Sequence, residues 1–235
     1  MENSIKGIIF DYGGTIDCRG DHWACVIRDA YEAAGLHLGL DDFCDAYVHA
    51  ERELARTPHI SPSDDFLAMM RIKARIELQF LADRGIISPS DIARCTDAIA
   101  GYCDAHARAS IESVRPTLDS LRSRYPMVLV SNFYGNISSV LASYGLQDYF
   151  GSIIESAVVG VRKPDPAIFG LGVEALGLKP EEVLVVGDSL SKDIIPAESL
   201  GCRTAWIAGR QWFREKPLPD RADRIEKLSD LEMLY

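Results

Sequence analysis

The chain has 235 residues, 47% hydrophobic and 26% charged, which is enough for one sizeable core and a small second one. This composition excludes an intrinsically disordered chain and a small disulfide scaffold. The formal net charge of −10 at pH 7 argues against binding to nucleic acid or to an anionic membrane, so an anionic substrate requires a local positive site.

The N-terminal residues and the spacing of cysteine and histidine indicate a soluble, cytoplasmic chain. The start, MENSIKG, has neither the basic nor the apolar stretch of a secretion signal, and no apolar run is long enough to cross a membrane. The six cysteines show no C-x-x-C spacing and the five histidines form no H-x-x-x-H pair, which predicts reduced cysteines and no zinc site. We expect a small-molecule partner, and the sequence gives no indication of the oligomeric state.

The chain begins with a short apolar strand and continues with helices. GIIF precedes Asp11 and is typical of a buried parallel strand. From about residue 19 to 112, apolar residues recur at helical spacing, which predicts four helices in a small bundle. The repeating stripes are Val26, Ala30, Ala33 and Ala34; Phe43, Ala46, Tyr47 and Ala50; Ile72, Ile76 and Phe80; and Ile92, Cys95 and Ile99. We expect the sheet pattern to resume at Arg115 and Pro116.

Strands and helices alternate from about residue 126 to the end. MVLV leads into Ser131, VLVV leads into Gly187 and Asp188, and CRTAWIAG forms a fourth strand. The helices between them are expected to run from Asn136 to Gly145, from Pro164 or Pro166 to Gly177, and from Ser191 to Gly201. Such alternation predicts an α/β fold with a doubly wound parallel sheet, in which functional residues lie at the carboxyl ends of the strands.

The first strand ends in a carboxylate followed by two glycines, in the sequence FDYGGTID. The strand orients Asp11, and the amides of the two glycines can approach an anion closely, so the pattern suits a nucleophile beside a bound anion. An aspartate that only caps a turn explains this fragment equally well.

Further polar residues follow the other strands. Ser131 and Asn132 offer a hydroxyl and an amide to a phosphoryl oxygen, although the same pair is ordinary in turns. Lys163 precedes a helix that starts at proline, and it is either a fixed positive charge near the strand ends or a solvated loop lysine. Asp188 and Asp193, together with the carboxylate after the first strand, form a set of hard oxygen ligands suited to Mg²⁺, although helix capping alone also explains Asp193.

Taken in this order, the motifs resemble those of the haloacid dehalogenase superfamily of phosphatases and related hydrolases, and the resemblance covers essentially the whole chain. The motifs are Asp11 in FDYGGT, Ser131 in VSN, Lys163 in RKPDP, and Asp188 with Asp193 in GDSLSKD. The resemblance implies a Rossmann-like catalytic core over residues 1–18 and 113–235, with a helical cap domain over residues 19–112.

The resemblance also implies a magnesium-dependent phosphohydrolase that cleaves a small phosphorylated metabolite through an aspartyl-phosphate on Asp11. The implied catalytic residues are Asp11, Ser131 and Lys163; the implied phosphate-binding residues are Gly14, Thr15 and Asn132; and the implied Mg²⁺ ligands are Asp11, the carbonyl of Gly13, Asp188 and Asp193. The substrate is open among sugar phosphates, nucleotides and small phosphorylated acids. Six basic residues of the insertion either bind a second anionic group or are solvated: Arg28, Arg52, Arg56, Arg71, Lys73 and Arg75.

Gly13 departs from the family pattern, because phosphatases of the family usually carry a general acid–base aspartate two residues after the nucleophile. Asp17, His22 or a residue of the cap would have to replace it. The alternative is a phosphate-binding or regulatory protein that has lost turnover. A dehalogenase is disfavoured because GDSLSKD keeps its metal carboxylates, and a phosphonate-cleaving enzyme is disfavoured because the first two cap helices, through Arg56, contain no lysine.

Overall fold

A computed structural model describes residues 5–213 and 223–234. The strands are β1 Gly7–Phe10, β2 Met127–Ser131, β3 Ser152–Glu155, β4 Val183–Gly187, β5 Arg203–Ile207 and β6 Arg224–Ile225. The α-helices are α1 Trp23–Ala33, α2 Leu40–Arg56, α3 Phe66–Asp83, α4 Pro89–Arg122, α5 Ile137–Ser143, α6 Ser156–Val159, α7 Ala167–Leu176, α8 Ile195–Ser199 and α9 Leu231–Leu234. There are also 3₁₀ turns at Pro180–Glu182 and Leu228–Asp230, and a π-helical turn at Leu190–Ile194.

The six strands form one parallel sheet in the order β3-β2-β1-β4-β5-β6. The chain moves outward from β1 through β2 to β3, and then returns to the other side of β1 at β4. This reversal creates a crevice outside the carboxyl ends of β1 and β4, where ligands bind in open α/β sheets. The predicted α/β fold with a doubly wound parallel sheet is confirmed.

Apolar side chains cover both faces of the sheet, as continuous apolar strands require. Ile8 and Phe10 of β1 belong to the larger core cluster, which contains residues of α1 to α5, whereas Ile9 between them packs in a second cluster with Ile168 and Phe169 of α7. All five side chains are fully buried. The sheet is therefore a rigid platform that fixes the positions of the residues that follow each strand.

Helices α1 to α4 form what we call the four-helix region, and the four predicted helices are present. The stripe of α3 differs from the prediction, because Ile72, Ile76 and Phe80 are only partly buried. The fully buried stripe is displaced by one position and includes two charged residues, Lys73 and Glu77. Helix α3 packs against both α2 and α4, so most of its circumference is covered.

Helix α4 runs without interruption from Pro89 to Arg122, and a capping box at Ser88 starts it. The expectation that the sheet resumes at Arg115 and Pro116 is wrong, because both residues are helical and β2 begins only at Met127. Proline inside a helix removes one hydrogen bond and costs about 3 kcal/mol. The buried face of the last turns, which includes Val114, Thr117, Leu118 and Leu121, offsets this cost. The predicted boundary between residues 112 and 113 thus falls inside one helix.

Two predicted helix starts also differ in detail. Ser189, rather than Ser191, caps the turn after β4, and its Oγ accepts a hydrogen bond from the amide of Lys192 at 3.3 Å. Asn136 precedes α5 as expected, but its side chain makes no capping bond and instead donates to the carbonyl of Asp64 at 3.0 Å. Gly177 ends α7 in the left-handed conformation, as predicted.

The segment after β5 connects the sheet to the four-helix region. Arg210 forms ion pairs at 2.8 Å with both Asp21 and Asp29, and the ring of Trp212 lies 5.2 Å from that of Tyr47. These contacts fasten the loop after β1, the helices α1 and α2, and the end of β5 to one another. Within residues 5–213 and 223–234, the helices are too short or too polar to span a membrane.

Candidate active site

The predicted site residues meet where the chain reverses around β1. Asp11 follows β1 directly, Ser131 is the last residue of β2, and Asp188 follows β4. The amide of Asp11 donates to the carbonyl of Val186 at 2.9 Å, so the end of β1 is tied to β4. The carbonyl of Asp188 accepts from the indole of Trp206 at 2.8 Å. The sheet thus brings together at one edge residues that are far apart in sequence.

Lys163 lies at the centre of this group. Its Nζ donates to Oδ1 of Asp11 and to Oδ1 of Asp193, each at 2.6 Å, and its side chain is only 3% exposed. Burial alone would lower the pKa of Lys163, but the charges of the two carboxylates raise it, so the amine stays protonated. The interpretation of Lys163 as a solvated loop lysine is therefore wrong.

Asn132 holds Lys163 through its main chain. Its Oδ1 accepts from the amide of Lys163 at 2.9 Å, and its Nδ2 donates to the carbonyl of the same residue at 3.0 Å. These two bonds position the lysine, a contact that the sequence did not predict. The direct binding of phosphate by Asn132 stays a prediction. Ser131 lines the cavity described below, and within the described part of the chain its hydroxyl has no hydrogen-bond partner.

Three buried carboxylates form a cluster beside this lysine. Asp11, Asp188 and Asp193 each place an oxygen within 4.8 Å of the others. Burial raises the pKa of Asp11 to about 6, although the charge of Lys163 opposes the shift. Burial, followed by the charges of Asp11 and Asp193, raises the pKa of Asp188 well above its usual range. The cluster is therefore electrostatically unfavourable when only protein groups surround it.

The chemistry of this cluster fits a divalent cation. When all three carboxylates are ionised, one ammonium leaves two surplus negative charges in a buried space. Oxygen ligands of this kind suit Mg²⁺, which keeps several of its waters and takes few protein carboxylates. A bound Mg²⁺ would balance this surplus charge.

Gly14 and Thr15 make their hydrogen bonds to neighbouring carboxylates. The amide of Gly14 donates to Oδ1 of Asp17 at 2.7 Å, so it is not available to a substrate oxygen. The hydroxyl of Thr15 bridges the carboxylates of Asp11 and Asp188 at 3.2 and 3.3 Å. Neither Gly14 nor Thr15 is among the described residues that line the cavity. In this structure they hold the loop and the carboxylates in place, and direct binding of phosphate by Gly14 and Thr15 stays a prediction.

The neighbouring glycines differ in the space around them. A Cβ on Gly14, where φ is +100°, would lie 2.5 Å from the carboxyl group of Asp188, so only glycine fits there. A Cβ on Gly13 would meet only Cδ1 of Trp23, at 3.9 Å, which is an ordinary contact. The departure from the family pattern at Gly13 is therefore not forced by the backbone or by steric crowding.

Asp17 and His22 are the two candidates named above for the missing acid. Asp17 is fully buried, its oxygens accept from Gly14 and from the indole of Trp23, and burial raises its pKa to about 8. Burial lowers the pKa of His22 to about 4, and its Nδ1 accepts from the amide of Ala24 at 3.1 Å. Asp17 is thus occupied by protein donors, and His22 is neutral.

A cavity of about 500 Å³ lies between the sheet and the four-helix region. Asp11, Gly13, Ser131, Lys163, Asp188 and Asp193 lie at its sheet end. The helical end is lined by Ile27, Leu54, Phe66, Met69 and Met70, together with the polar residues Glu51 and Lys73. The cavity is far larger than a phosphate ion, so a substituent of the phosphate has space on the helical side.

The sequence did not predict a cluster of three polar side chains on the helical side of the cavity. Lys73 of α3, which appeared only among six basic candidates, is buried and forms an ion pair with Glu51 of α2. The hydroxyl of Tyr134, in the loop after β2, donates to the same glutamate at 2.9 Å. Three separate elements contribute these residues, so sequence spacing carries no sign of their contact.

Comparison with known proteins identifies the family. Residues 5–201 match the family model of the haloacid dehalogenase-like hydrolases. The chain belongs to this family. The family is one of hydrolases, and the motifs at the strand ends predicted this membership.

The curated relatives of this haloacid dehalogenase-like hydrolase are phosphatases in several cases. A glyceraldehyde 3-phosphate phosphatase from Pyrococcus furiosus is 43% identical over 62 residues, 26% of each chain, and a phosphoserine phosphatase from Thermus thermophilus is 39% identical over 67 residues, 28% of this chain and 27% of the relative. These matches span about a quarter of the relatives. A longer match, 28% identical over 208 residues, covers 86% of this chain and 83% of the 5-amino-6-(5-phospho-D-ribitylamino)uracil phosphatase YigB of Escherichia coli.

Solved structures share the fold. A dehalogenase superposes over 100% of this chain and 99% of its own, with a TM-score of 0.61 and 18% identity. A HAD-superfamily hydrolase of subfamily IA from Geobacter sulfurreducens covers 98% of this chain and 96% of its own, with a TM-score of 0.53 and 24% identity. At such identities, the similarity establishes the Rossmann-like α/β fold and not the reaction.

Proposed function

We propose that this hydrolase is a magnesium-dependent phosphohydrolase that cleaves a small phosphomonoester through an aspartyl-phosphate on Asp11. The observation that carries the proposal is the position of Asp11, a buried carboxylate bound to Lys163 at the sheet end of a cavity. The phosphatase names of the curated relatives support phosphate esters as substrates.

In the first step, an oxygen of Asp11 attacks phosphorus in line, and the bond from phosphorus to the leaving oxygen breaks. Water then attacks the aspartyl-phosphate, which releases phosphate and restores the carboxylate, so that one difficult displacement becomes two easier ones. Lys163 and the hydroxyl of Ser131 bind the phosphoryl oxygens, on which negative charge is concentrated in the transition state.

Four groups would hold Mg²⁺ in this proposal: the carboxylates of Asp11, Asp188 and Asp193 and the carbonyl of Gly13. When bound, the ion supplies positive charge that stabilises the phosphoryl group as the reaction proceeds. Lys163 keeps Asp11 and Asp193 fixed relative to each other through its two short hydrogen bonds. The nucleophile is thereby oriented before the substrate arrives.

The leaving group receives no proton from a dedicated residue at position 13. Asp17 lines the cavity, but it is fully buried and accepts hydrogen bonds from two protein donors, so in this proposal it chiefly stabilises the loop. Without a positioned acid, the rate depends steeply on how well the leaving oxygen carries negative charge. We therefore expect acyl and aryl phosphates to react faster than alkyl phosphates.

The four-helix region acts as the cap in this proposal. It covers the cavity, excludes water from the reacting groups and contacts the leaving group. The division into residues 19–112 and the remainder stays a prediction, and α4 would belong to both parts.

Imine formation, which a phosphonate-cleaving enzyme requires, is not favoured. Lys73 lies on the helical side of the cavity, but it is paired with Glu51. Burial alone would lower the pKa of Lys73, whereas the charge of Glu51 raises it well above its usual range. A protonated amine is not a nucleophile.

Gly13 stands where the usual acid–base group is missing, and this favours a second candidate function. The protein would bind phosphate without turnover.

The decisive experiment measures phosphate release from a panel of acyl, aryl and alkyl phosphates in the presence of MgCl₂. We expect turnover that EDTA abolishes, that Mg²⁺ restores and that Ca²⁺ does not, because Ca²⁺ takes more oxygen ligands and would compete for the carboxylate that has to attack.

Asp11→Asn should reduce turnover to the protein-free background, whereas Asp148→Asn, the same change at an exposed residue outside the cavity, should retain it. Turnover that survives in Asp11→Asn would remove the covalent mechanism. Binding of inorganic phosphate without turnover of any ester would establish the second candidate.

A further inference from the structure

Glu51 presents a free carboxylate oxygen to the helical side of the cavity. Its Oε1 accepts hydrogen bonds from Nζ of Lys73 and from the hydroxyl of Tyr134. Within the described ranges, 5–213 and 223–234, its Oε2 has no hydrogen-bond partner. The side chain is 36% exposed and lines the cavity.

The contacts of Glu51 keep it ionised and fixed. Burial alone would raise its pKa, but the charge of Lys73 and the hydrogen bonds from Lys73 and Tyr134 lower it. Lys73 itself is almost fully buried and lies over the ring of Tyr47, with Nζ 4.2 Å from the ring centre. The ammonium is therefore turned towards the protein, and the carboxylate is the member of the pair that faces the cavity.

We propose that Glu51 selects phosphomonoesters whose leaving group carries hydrogen-bond donors, such as hydroxyl or amino groups, and rejects those that carry a carboxylate at the same place. The proposal rests on the proposed phosphohydrolase function and names the substrate class of that site. Polyol and sugar phosphates belong to the favoured class, and phosphorylated carboxylic acids to the rejected class.

The physical basis is the charge and the open acceptor of Glu51 at the cavity wall. A donor on the leaving group satisfies Oε2 of Glu51, whereas a carboxylate at the same place brings two negative charges together. Lys73 does not compensate, because its charge is already opposed by Glu51.

The test uses substrate pairs that differ only at the end far from phosphate. One pair is glycerol 3-phosphate and 3-phosphoglycerate, and the other is a pentitol 5-phosphate and the corresponding 5-phosphopentonate; each replaces a CH₂OH group by a carboxylate. For each pair we measure the ratio of kcat/KM values, polyol over acid. We expect a ratio well above one in the native protein.

Glu51→Gln keeps the size of the side chain but removes its charge. We expect the polyol-to-acid ratio of at least one pair to fall by at least about tenfold, the effect of losing a hydrogen bond to a charged group. Glu32→Gln is the matched control, because Glu32 is exposed on α1 and lies outside the cavity, and its ratio should equal that of the native protein.

Tyr134→Phe tests the positioning of the glutamate separately. It removes one of the two donors to Oε1 and leaves the charge of Glu51 in place, so the ratio should fall by less than in Glu51→Gln. This variant also provides an answer if Glu51→Gln does not fold.

The outcomes distinguish failure of the phosphohydrolase function from failure of the role proposed for Glu51. If no phosphomonoester is hydrolysed, the proposed function fails. If esters are hydrolysed but the ratios of both pairs are the same in the native protein and in both variants, the proposed function stands and the role of Glu51 is wrong. A native preference for the acids would also overturn it.

Discussion

Gly13 and Gly14 are consecutive, but the space available for a side chain differs between the two positions. The carboxyl group of Asp188 occupies the space that a Cβ on Gly14 would require, so that position is structurally constrained. Next to Gly13 there is only the edge of Trp23, at van der Waals distance. The described residues therefore leave space for a Cβ at position 13, which makes a substitution there a usable test.

Gly13→Asp should raise kcat/KM for alkyl phosphates by up to about 10²–10⁴-fold, the contribution of a positioned general acid, and should change aryl phosphates much less. Rates for a series of esters with graded leaving-group acidity measure this directly. Gly14→Ala is the control and should impair activity towards every ester. Equal losses on all esters in Gly13→Asp would show that glycine is required there for space.

The sequence predicted the sheet end of the site well and the helical end poorly. Asp11, Asp188 and Asp193 follow or lie near the ends of apolar strands, and a parallel sheet brings such positions together, so their proximity was predictable. Their roles as nucleophile and metal ligands stay predictions. The contact of Glu51 with Lys73 depends on how α2 packs against α3, which the spacing within each helix does not determine.

At the scale of elements, α4 shows how packing overrides a local signal. Pro116 suggested the end of the helical region, because proline is unfavourable in the interior of a helix. The helix nevertheless continues to Arg122, because its last turns bury an apolar face. The ring of Pro116 itself is exposed and contributes little to that core.

Pro116→Ala should therefore stabilise the protein, because it restores a hydrogen bond to the carbonyl of Glu112 and removes a poor helix former. We expect the free energy of unfolding in urea to rise by about 1–3 kcal/mol. Ser113→Ala, the change to alanine at an exposed position in the same turn, should alter it by no more than about 0.5 kcal/mol. An unchanged or lower stability in Pro116→Ala would mean that the helix is already relaxed around the proline.

The strands that the sequence missed are short or only partly buried. Strand β3 has the sequence SIIE, in which only Glu155 is buried, and β6 consists of two residues. Neither contains the continuous apolar run that identified β1, β2 and β4. Both are edge strands of the described sheet. Their hydrogen bonds to one neighbouring strand define them, and their own composition does not.

At the scale of the whole molecule, the surplus negative charge at the site opposes folding when no cation is bound. Burial and the charges of Asp11 and Asp193 raise the pKa of Asp188 well above its usual range. A cation that binds only the folded state stabilises it by mass action, by about 2.7 kcal/mol at a hundredfold excess over Kd. Metal binding and stability should therefore be linked.

Thermal unfolding with and without MgCl₂ tests this linkage. The midpoint of the native protein should rise with Mg²⁺, whereas Asp188→Asn should lose most of that rise and, without metal, should be at least as stable as the native protein. Asp148→Asn, at an exposed position, should respond to Mg²⁺ as the native protein does. A full Mg²⁺ response in Asp188→Asn would mean that Asp188 is not a ligand.

The length of α4 determines how the two parts of this molecule can move. At about 1.5 Å per residue, its 34 residues form a rod about 50 Å long that enters the sheet region as one piece. The other connection, residues 11–22, consists mainly of turns and includes Asp17, which binds both Gly14 and Trp23. Any rotation of the helices relative to the sheet would have to deform residues 11–22, so it would also shift the loop that follows the nucleophile.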